Sequence, residues 1–133
     1  QARCDNANAI LDCCEQFPAL FRIPRPQAHI EHAWYKCYVF VRPEGLAKGW
    51  TRERIIEEIN SRGVPCYQGS CSEVYLEEAF DGTGFRPKER LPVAKVLGET
   101  SMMFLVHPTL TKEEIDLTCS VIEEVAKLAG LQA

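Results

Sequence analysis

The chain has 133 residues, of which 46% are hydrophobic and 26% charged, and its formal net charge is −4. This length predicts one domain with a core of its own, and the composition is that of an ordinary globular protein. Acidic and basic residues are interspersed, so no basic run favours a nucleic-acid groove, and no apolar run approaches the roughly 20 residues of a membrane span. Seven scattered cysteines favour reduced thiols and a cytoplasmic location over a disulfide scaffold.

The first part of the chain predicts a helix, an extended segment and a strand. Apolar residues recur at helical spacing up to about Gln16; they are Ala7, Ile10, Leu11, Cys14 and Phe17. This helix has no clear beginning, as expected for a chain cut from a longer one. Prolines 18, 24 and 26 then predict an extended segment, because proline fixes φ and lacks an N–H donor. Residues 33–42 are rich in aromatic and β-branched residues and predict a strand.

The middle of the chain predicts two helices on either side of a short strand. Thr51 is a good N-cap for a helix that runs to Ser61 and is stopped by Gly63. Residues 64–67 then predict a strand. Ser72 is expected to cap a brief helix over residues 73–80, which precedes a glycine-rich turn.

The last part of the chain predicts a helix, a buried strand and a long helix. Pro92 suits the first turn of a helix that reaches about Glu99, and residues 101–106 form an apolar strand. Thr111 and Glu114 have the spacing of a capping box for the final helix. Together these elements predict an α/β fold, an α+β two-layer sandwich in which helices cover a small three-stranded sheet.

Four segments resemble one known family when they are taken together. They are HAWYKCYVFV (32–41), RGVPCY (62–67), LPVAKVLGET (91–100) and MFLVHPTLTKEEID (103–116). In this order and spacing they resemble the C-terminal part of the DegT/DnrJ/EryC family of pyridoxal-phosphate-dependent nucleotide-sugar aminotransferases. Members typically end with a Pro-x-Ala helix, a strand similar to LPLHP, and LTxEEID at the start of the last helix.

The resemblance implies that residues 1–133 are the small domain of a fold-type-I aminotransferase. Residues 1–17 would be an interdomain helix and residues 18–31 an extended crossing segment. The missing partner would be the N-terminal large domain of the same chain, which carries the Schiff-base lysine and most contacts to pyridoxal phosphate. Without that domain the 133 residues alone are expected to be inactive, because their six lysines fall in patterns that look exposed.

The family's reaction transfers an amino group from an amino acid, usually glutamate, to a keto-sugar linked to a nucleotide. In such an enzyme this domain would close the active site and support a homodimer. The enzyme would supply amino sugars for polysaccharides or glycosylated metabolites. Two alternatives from other classes stay open at this point. One is a free-standing ferredoxin-like module that binds a small regulatory ligand, and the other is an interaction or scaffold domain with a large exposed apolar patch.

The segment CYQGSCSEVY (66–75) is the most distinctive loop of the sequence. Its two cysteines form one pair, whereas a structural zinc site needs four ligands, and a redox pair would normally be CxxC. We therefore predict no metal. An ordinary turn, in which Gly69 bends the chain and Ser72 caps a helix, competes with a ligand-binding loop.

The family favours the ligand-binding hypothesis. The matching loop of many members resembles YPxLH, and its histidine lies at the cofactor and substrate. Counting forward from Tyr67 places that histidine at Cys71, whereas counting back from Phe80 places it at Tyr75. We expect substrate contacts, but no catalytic residue, in this loop, and Cys71 is not expected to act as a nucleophile because no base or cation lies nearby in sequence. The candidate substrate-binding residues are Tyr67, Gln68, Gly69, Ser70, Cys71 and Tyr75.

Overall fold

The structure of the chain is a computed structural model that describes residues 1–131. Within that range there are four α-helices and four β-strands. In chain order they are α1 (Ala2–Glu15), β1 (Phe21–Arg22), β2 (Cys37–Val41), α2 (Arg52–Ser61), β3 (Cys66–Gln68), α3 (Pro92–Thr100), β4 (Ser101–Phe104) and α4 (Lys112–Ala129).

The strands form one sheet in the order β1-β2-β4-β3, and every neighbouring pair is antiparallel. Phe104 is paired with Cys37 on one side and with Cys66 on the other. Because side chains alternate along a strand, Cys37, Phe104 and Cys66 share one face of the sheet. Helices α1 and α2 cover that face, and α4 packs against both of them. The opposite face carries Tyr38 and Phe40, and α3 packs there.

The predicted fold class is confirmed, with one correction to the sheet. Three strands are expected from the sequence, and the described residues form four. The additional strand, β1, lies within the segment predicted to be extended and is only two residues long. Phe21 is 3% exposed and pairs with Val41, so burial of this ring on the helix-covered face fixes the short strand.

The predicted helix starts at Thr51 and Thr111 are confirmed. The Thr51 side chain accepts a hydrogen bond from the Arg54 N–H at 3.2 Å. Thr111 and Glu114 form the complete capping box, with bonds of 3.2 Å and 2.8 Å to each other's backbone N–H groups. Gly63 follows α2 with φ of 82°, the left-handed conformation that glycine adopts without strain. Local side-chain chemistry therefore determines where these helices begin and end.

The three predicted strands differ from the observed ones at their ends. The strand expected over residues 33–42 is shorter, because Trp34 has a φ of +47° and its N–H donates to Nδ1 of His32 at 3.0 Å. A residue in this conformation cannot continue a strand. The strand expected over 64–67 is shifted to Cys66–Gln68, and the one expected over 101–106 ends at Phe104.

The helix predicted over residues 73–80 is wrong. Two short 3-10 turns, Val74–Leu76 and Glu78–Phe80, occupy this stretch. Ser72 does not cap a helix, since its hydroxyl donates to the carbonyl of Ala94 in α3 at 2.6 Å. Ser72 therefore forms a hydrogen bond, as its position in the sequence suggested, but its partner is a carbonyl of α3 and not the first turn of a helix.

Arg86 explains why a continuous helix does not form here. Its guanidinium donates to three successive backbone carbonyls at 2.9, 3.0 and 3.1 Å, those of Tyr75, Leu76 and Glu77. A helix would need these carbonyls as acceptors for N–H groups four residues further along. Arg86, from the other end of the same segment, thus occupies these carbonyls, and residues 69–91, the β3–α3 loop, fold around it.

Candidate functional site

A cleft of about 250 Å³ lies on the sheet face opposite α1, α2 and α4. Strand β2 contributes two aromatic side chains, α3 contributes Leu97, and the β3–α3 loop contributes its first polar residues. We call it the sheet-face cleft, and it is lined by Tyr38, Phe40, Ser70, Cys71, Ser72, Leu97 and Ser101. It is the place where the most distinctive loop of the sequence meets the sheet.

Gly69 lets the loop pass close to β4 at the edge of this cleft. Its N–H donates to the Ser101 carbonyl at 3.4 Å. A Cβ atom at this position would lie 2.1 Å from Ser101 Oγ and 2.6 Å from Ser101 Cβ, which is closer than atoms can approach. The hydroxyls of Ser70 and Tyr38 are hydrogen-bonded to each other, which fixes the loop to β2. A glycine is therefore required where the loop leaves β3.

The six predicted site residues divide into two groups. Ser70 and Cys71 line the sheet-face cleft, and Gly69 lies beside it. Tyr67 and Gln68 are exposed residues of β3 and do not line the cleft. Tyr75 also lies outside it, since its hydroxyl is engaged elsewhere in the loop. The structure therefore brings Cys71, and not Tyr75, to the cleft.

Tyr75 belongs to a polar cluster with buried Glu73 and exposed Arg90. Its hydroxyl donates to Glu73 Oε1 at 2.6 Å and accepts the Leu91 N–H at 2.9 Å. Arg90 donates to both Glu73 carboxylate oxygens, through Nε at 2.9 Å and through Nη2. The Arg90 guanidinium, followed by the Tyr75 hydroxyl, lowers the pKa of Glu73 to about 2. The cluster thus joins the beginning of the β3–α3 loop to its end.

This ion pair predicts an acid-sensitive loop. Because the folded-state pKa of Glu73 lies below its ordinary 4.5, its contribution to stability is complete above pH 4.5 and is lost as the pH falls toward 2. We expect wild type to be more stable than Glu73→Gln near neutral pH and this difference to shrink through that window. Urea midpoints measured across the window test this.

Glu99→Gln is the matched control, since exposed Glu99 approaches the same guanidinium only at 3.4 Å. It should leave most of the acid dependence in place. A difference between wild type and Glu73→Gln that stays constant with pH would show that the carboxylate charge does not order the loop.

The sheet-face cleft offers neutral hydrogen-bonding groups and aromatic surface. Hydroxyls come from Tyr38 and Ser70, and the Cys71 thiol donates to Glu77 Oε1 at 3.5 Å. No Lys, Arg, His, Asp or Glu is among its lining residues in the part of the chain that the structure describes. Such a surface suits contact with hydroxyl groups of a ligand.

Sequence reasoning missed five residues of the cleft. They are Tyr38, Phe40, Ser72, Leu97 and Ser101, of which Ser72 was expected only as a helix cap. Tyr38 and Phe40 alternate with buried residues of β2, and this alternation was a usable signal for the second face of the sheet. Leu97 reaches the cleft through the packing of α3, for which the sequence carries no local signal, and Ser101 lies there because β4 pairs it with Phe40.

Two further concave surfaces adjoin the sheet or α1. One, of about 260 Å³, shares Tyr38 and Phe40 with the sheet-face cleft and extends to His32, Trp34 and Lys36. The other, of about 830 Å³, lies between the beginning of α1 and segment 26–34 and includes none of the six predicted residues. Volume alone therefore does not select the site, and the loop chemistry favours the sheet-face cleft.

Residues 1–131 hold neither a cluster of metal ligands nor a buried lysine. Within residues 1–131 no group of three or more His, Cys, Asp or Glu side chains could hold a metal ion, and all seven cysteines are free thiols. None of the six lysines in this range is buried, whereas a Schiff-base lysine needs a shielded pocket. These residues thus do not fit covalent attachment of pyridoxal phosphate. No helix in the described range is long and apolar enough to span a bilayer.

Comparison with solved structures places this geometry among aminotransferases. An aminotransferase from Psychrobacter cryohalolentis is 54% identical over 93% of this chain, with a TM-score of 0.89. A DegT/DnrJ/EryC1/StrS aminotransferase from Brucella abortus is 18% identical over 92% of the chain, with a TM-score of 0.72. A GDP-4-keto-6-deoxy-D-mannose-3-dehydratase from E. coli with bound hydrated PLP is 20% identical over 91%, with a TM-score of 0.70.

The family resemblance predicted from the sequence is confirmed. The chain has the fold of a part of the DegT/DnrJ/EryC1/StrS aminotransferases, and it spans only about a third of their length, 33%, 30% and 30% of the three matched chains. Searches of protein-family profiles and of curated protein sequences found no match.

Proposed function

We propose that this chain is the C-terminal small domain of a pyridoxal-phosphate-dependent sugar aminotransferase of the DegT/DnrJ/EryC family. The observation that carries the proposal is the 54% identity to an aminotransferase across nearly the whole chain. In this proposal residues 1–17 form the interdomain helix and residues 18–31 the crossing segment. The N-terminal large domain supplies the lysine that binds the cofactor, because no lysine of residues 1–131 is buried.

The proposed reaction moves an amino group from an amino acid, usually glutamate in the family, to a nucleotide-linked keto-sugar. Bound pyridoxal phosphate would supply the electron sink for this transfer. The present domain would close the active site and support a homodimer. The whole enzyme would act in the cytoplasm and supply amino sugars for polysaccharides or glycosylated metabolites. Its own contribution to substrate binding is the β3–α3 loop, whose hydroxyls and thiol suit contact with sugar hydroxyls.

The test compares the protein at its natural length with the 133-residue chain. Each is incubated with pyridoxal phosphate and reduced with borohydride, and the labelled lysine is located by mass spectrometry. We expect label in the natural-length protein at a lysine outside this chain, together with amino transfer from glutamate to a nucleotide keto-sugar. Stoichiometric label on the 133-residue chain alone would overturn the proposal. A natural-length protein that takes no label would favour the ferredoxin-like binding module.

A second experiment tests the contact of Cys71 with substrate. Among the seven cysteines Cys71 is exposed and the others are buried or half-buried, so iodoacetamide should label it first in the natural-length protein. We expect a nucleotide-sugar to slow this labelling several-fold and Cys71→Ser to retain turnover, because the thiol is a contact group and not a nucleophile.

Half-buried Cys4 is the reference position, and its labelling should not respond to the nucleotide-sugar. Equal labelling of Cys71 with and without the nucleotide-sugar would remove it from the substrate site. A Cys71→Ser enzyme with no turnover would instead contradict the absence of a nucleophilic role.

A further inference from the structure

Cys13 and Cys119 face each other where α1 packs against α4. The Cys13 thiol donates to the Cys119 carbonyl at 3.2 Å, and the Cys119 thiol donates to the Ala9 carbonyl at 3.6 Å. Each thiol thus contacts the backbone of the opposite helix. Both are free, and 106 positions of sequence separate them.

The surroundings of the pair differ from those of the other core cysteines. Burial raises the pKa of Cys37 and that of Cys66 to about 12, so these thiols are inert. Cys119 is only half-buried, and the S–H group of Cys13 lowers the pKa of Cys119 while the pKa of Cys13 is raised. Carboxylates also face the pair, and they act against ionisation; they are Asp12 and Asp116 near Cys119, and Glu123 near Cys13.

We propose that Cys13 and Cys119 form an oxidation site at which a hydroperoxide converts the two thiols into a disulfide that joins α1 to α4. The Cys119 sulfur attacks the peroxide, so an S–O bond forms, the O–O bond breaks, and the leaving oxygen departs as water or alcohol after taking a proton. The Cys13 sulfur then attacks the Cys119 sulfur. The S–S bond forms, the S–O bond breaks, and hydroxide leaves as water with the Cys13 proton. Two thiols lose two electrons, and one hydroperoxide is reduced.

The packing of the two helices makes this bond possible with little movement. A disulfide requires Cβ atoms about 3.5–4.5 Å apart. Each thiol already reaches the backbone of the opposite helix, at 3.2 Å for Cys13 and 3.6 Å for Cys119, so side-chain rotation would bring the two sulfurs together. The loop that the bond closes is long, so the unfolded chain loses much of its freedom. Oxidation would thus fix α1 against α4. The Cys71 thiol in the exposed β3–α3 loop would stay reduced, because it is not part of the pair.

The test treats the natural-length protein with hydrogen peroxide and digests it without reduction. Trypsin should give a linked pair of peptides, residues 4–22 and 113–127, whose fragment ions place the bond at Cys13 and Cys119. The free-thiol count should fall by two, and dithiothreitol should restore it. Cys119→Ser and Cys13→Ser should lose the linked peptide, whereas Cys14→Ala, at the neighbouring position, should keep it.

Wild-type protein alone can overturn the proposal, so the result does not depend on whether the variants fold. A Cys119 that is oxidised to sulfinic acid without a link would do so, as would an unreacted Cys119. A link from Cys119 to Cys14 or to Cys71 would also contradict the assignment, because the thiol that contacts the Cys119 backbone is that of Cys13.

Discussion

Replacing Arg52 by methionine is expected to lower the free energy of unfolding by about 2–4 kcal/mol. The Arg52 side chain is 9% exposed, and its Nη1 donates to the carbonyls of Gly98 at 3.2 Å and Ser101 at 2.8 Å. Its Nε and Nη2 also contact Glu53, at 2.9 and 2.7 Å. The guanidinium therefore joins the first turn of α2 to the junction of α3 and β4. Methionine fills similar space but leaves two carbonyls without this donor.

Urea denaturation of the 133-residue chain measures the loss, and Arg54→Met is the matched control. Arg54 is exposed on the same helix, where it donates to the Gly49 carbonyl at 3.1 Å and lies 4.3 Å from the Trp50 ring. We expect the control to cost less than about 1 kcal/mol, as exposed contacts usually do. Arg52→Lys should fall between the two, because an ammonium cannot reach every acceptor of the guanidinium. Equal losses at positions 52 and 54 would show that these buried bonds are not what stabilises the junction.

Gly69→Ala is expected to destabilise the chain by about 1–3 kcal/mol and to displace the β3–α3 loop from the sheet-face cleft. The new methyl group would overlap with Ser101 Oγ and Cβ, at 2.1 and 2.6 Å, and approach Tyr38 Cε1 at 3.3 Å. Rotation of the Ser101 hydroxyl removes the first overlap but not the second, so the loop backbone must move. In the natural-length enzyme the same change should raise KM for the nucleotide-sugar.

The compensating variant is Ser101→Gly, which removes both Ser101 atoms that the new methyl group would meet. The double variant Gly69→Ala/Ser101→Gly should be less destabilised than the sum of the two single variants, since the overlap exists only when both side chains are present. Gly82→Ala reports the cost of adding a methyl group without any clash, because nothing lies within 4 Å of that position, although its φ of 70° adds strain. Additive losses in the double variant would rule out steric overlap as the cause.

Features determined by neighbouring residues could be predicted from the sequence. Thr51 and the capping box of Thr111 mark their helices correctly, because the cap acts over three residues. The apolar strand that begins at Ser101 was also identifiable from its composition. In contrast, β1 has only two residues, and its existence depends on pairing with β2 about twenty positions away. No local pattern of that length specifies a strand.

The candidate site was only partly predictable for the same reason. The distinctive loop was expected either to turn into a helix or to contact a ligand, and two of its six candidate residues, Ser70 and Cys71, line a cleft. The two possible counts for the family's histidine, at Cys71 or at Tyr75, could not be separated in sequence. In the structure Tyr75 is engaged by Glu73 and Leu91, through bonds that only the complete loop creates. Likewise, Tyr38 and Phe40 of β2 lie beside the loop only because of how the chain folds, which the loop sequence does not indicate.

The way in which Arg86 and Arg90 organise the β3–α3 loop has a consequence for protein engineering. Most of the contacts that shape residues 73–91 begin and end inside that segment, with Arg86 bound to three of its carbonyls and Arg90 to Glu73. The segment can therefore be exchanged as a unit. It is joined to the rest of the domain by the hydrogen bonds of Ser70 and Ser72 at one end and by α3 at the other. Grafts between homologous enzymes that carry both arginines and Glu73 along would exchange the surface chemistry of the loop without redesign of the scaffold.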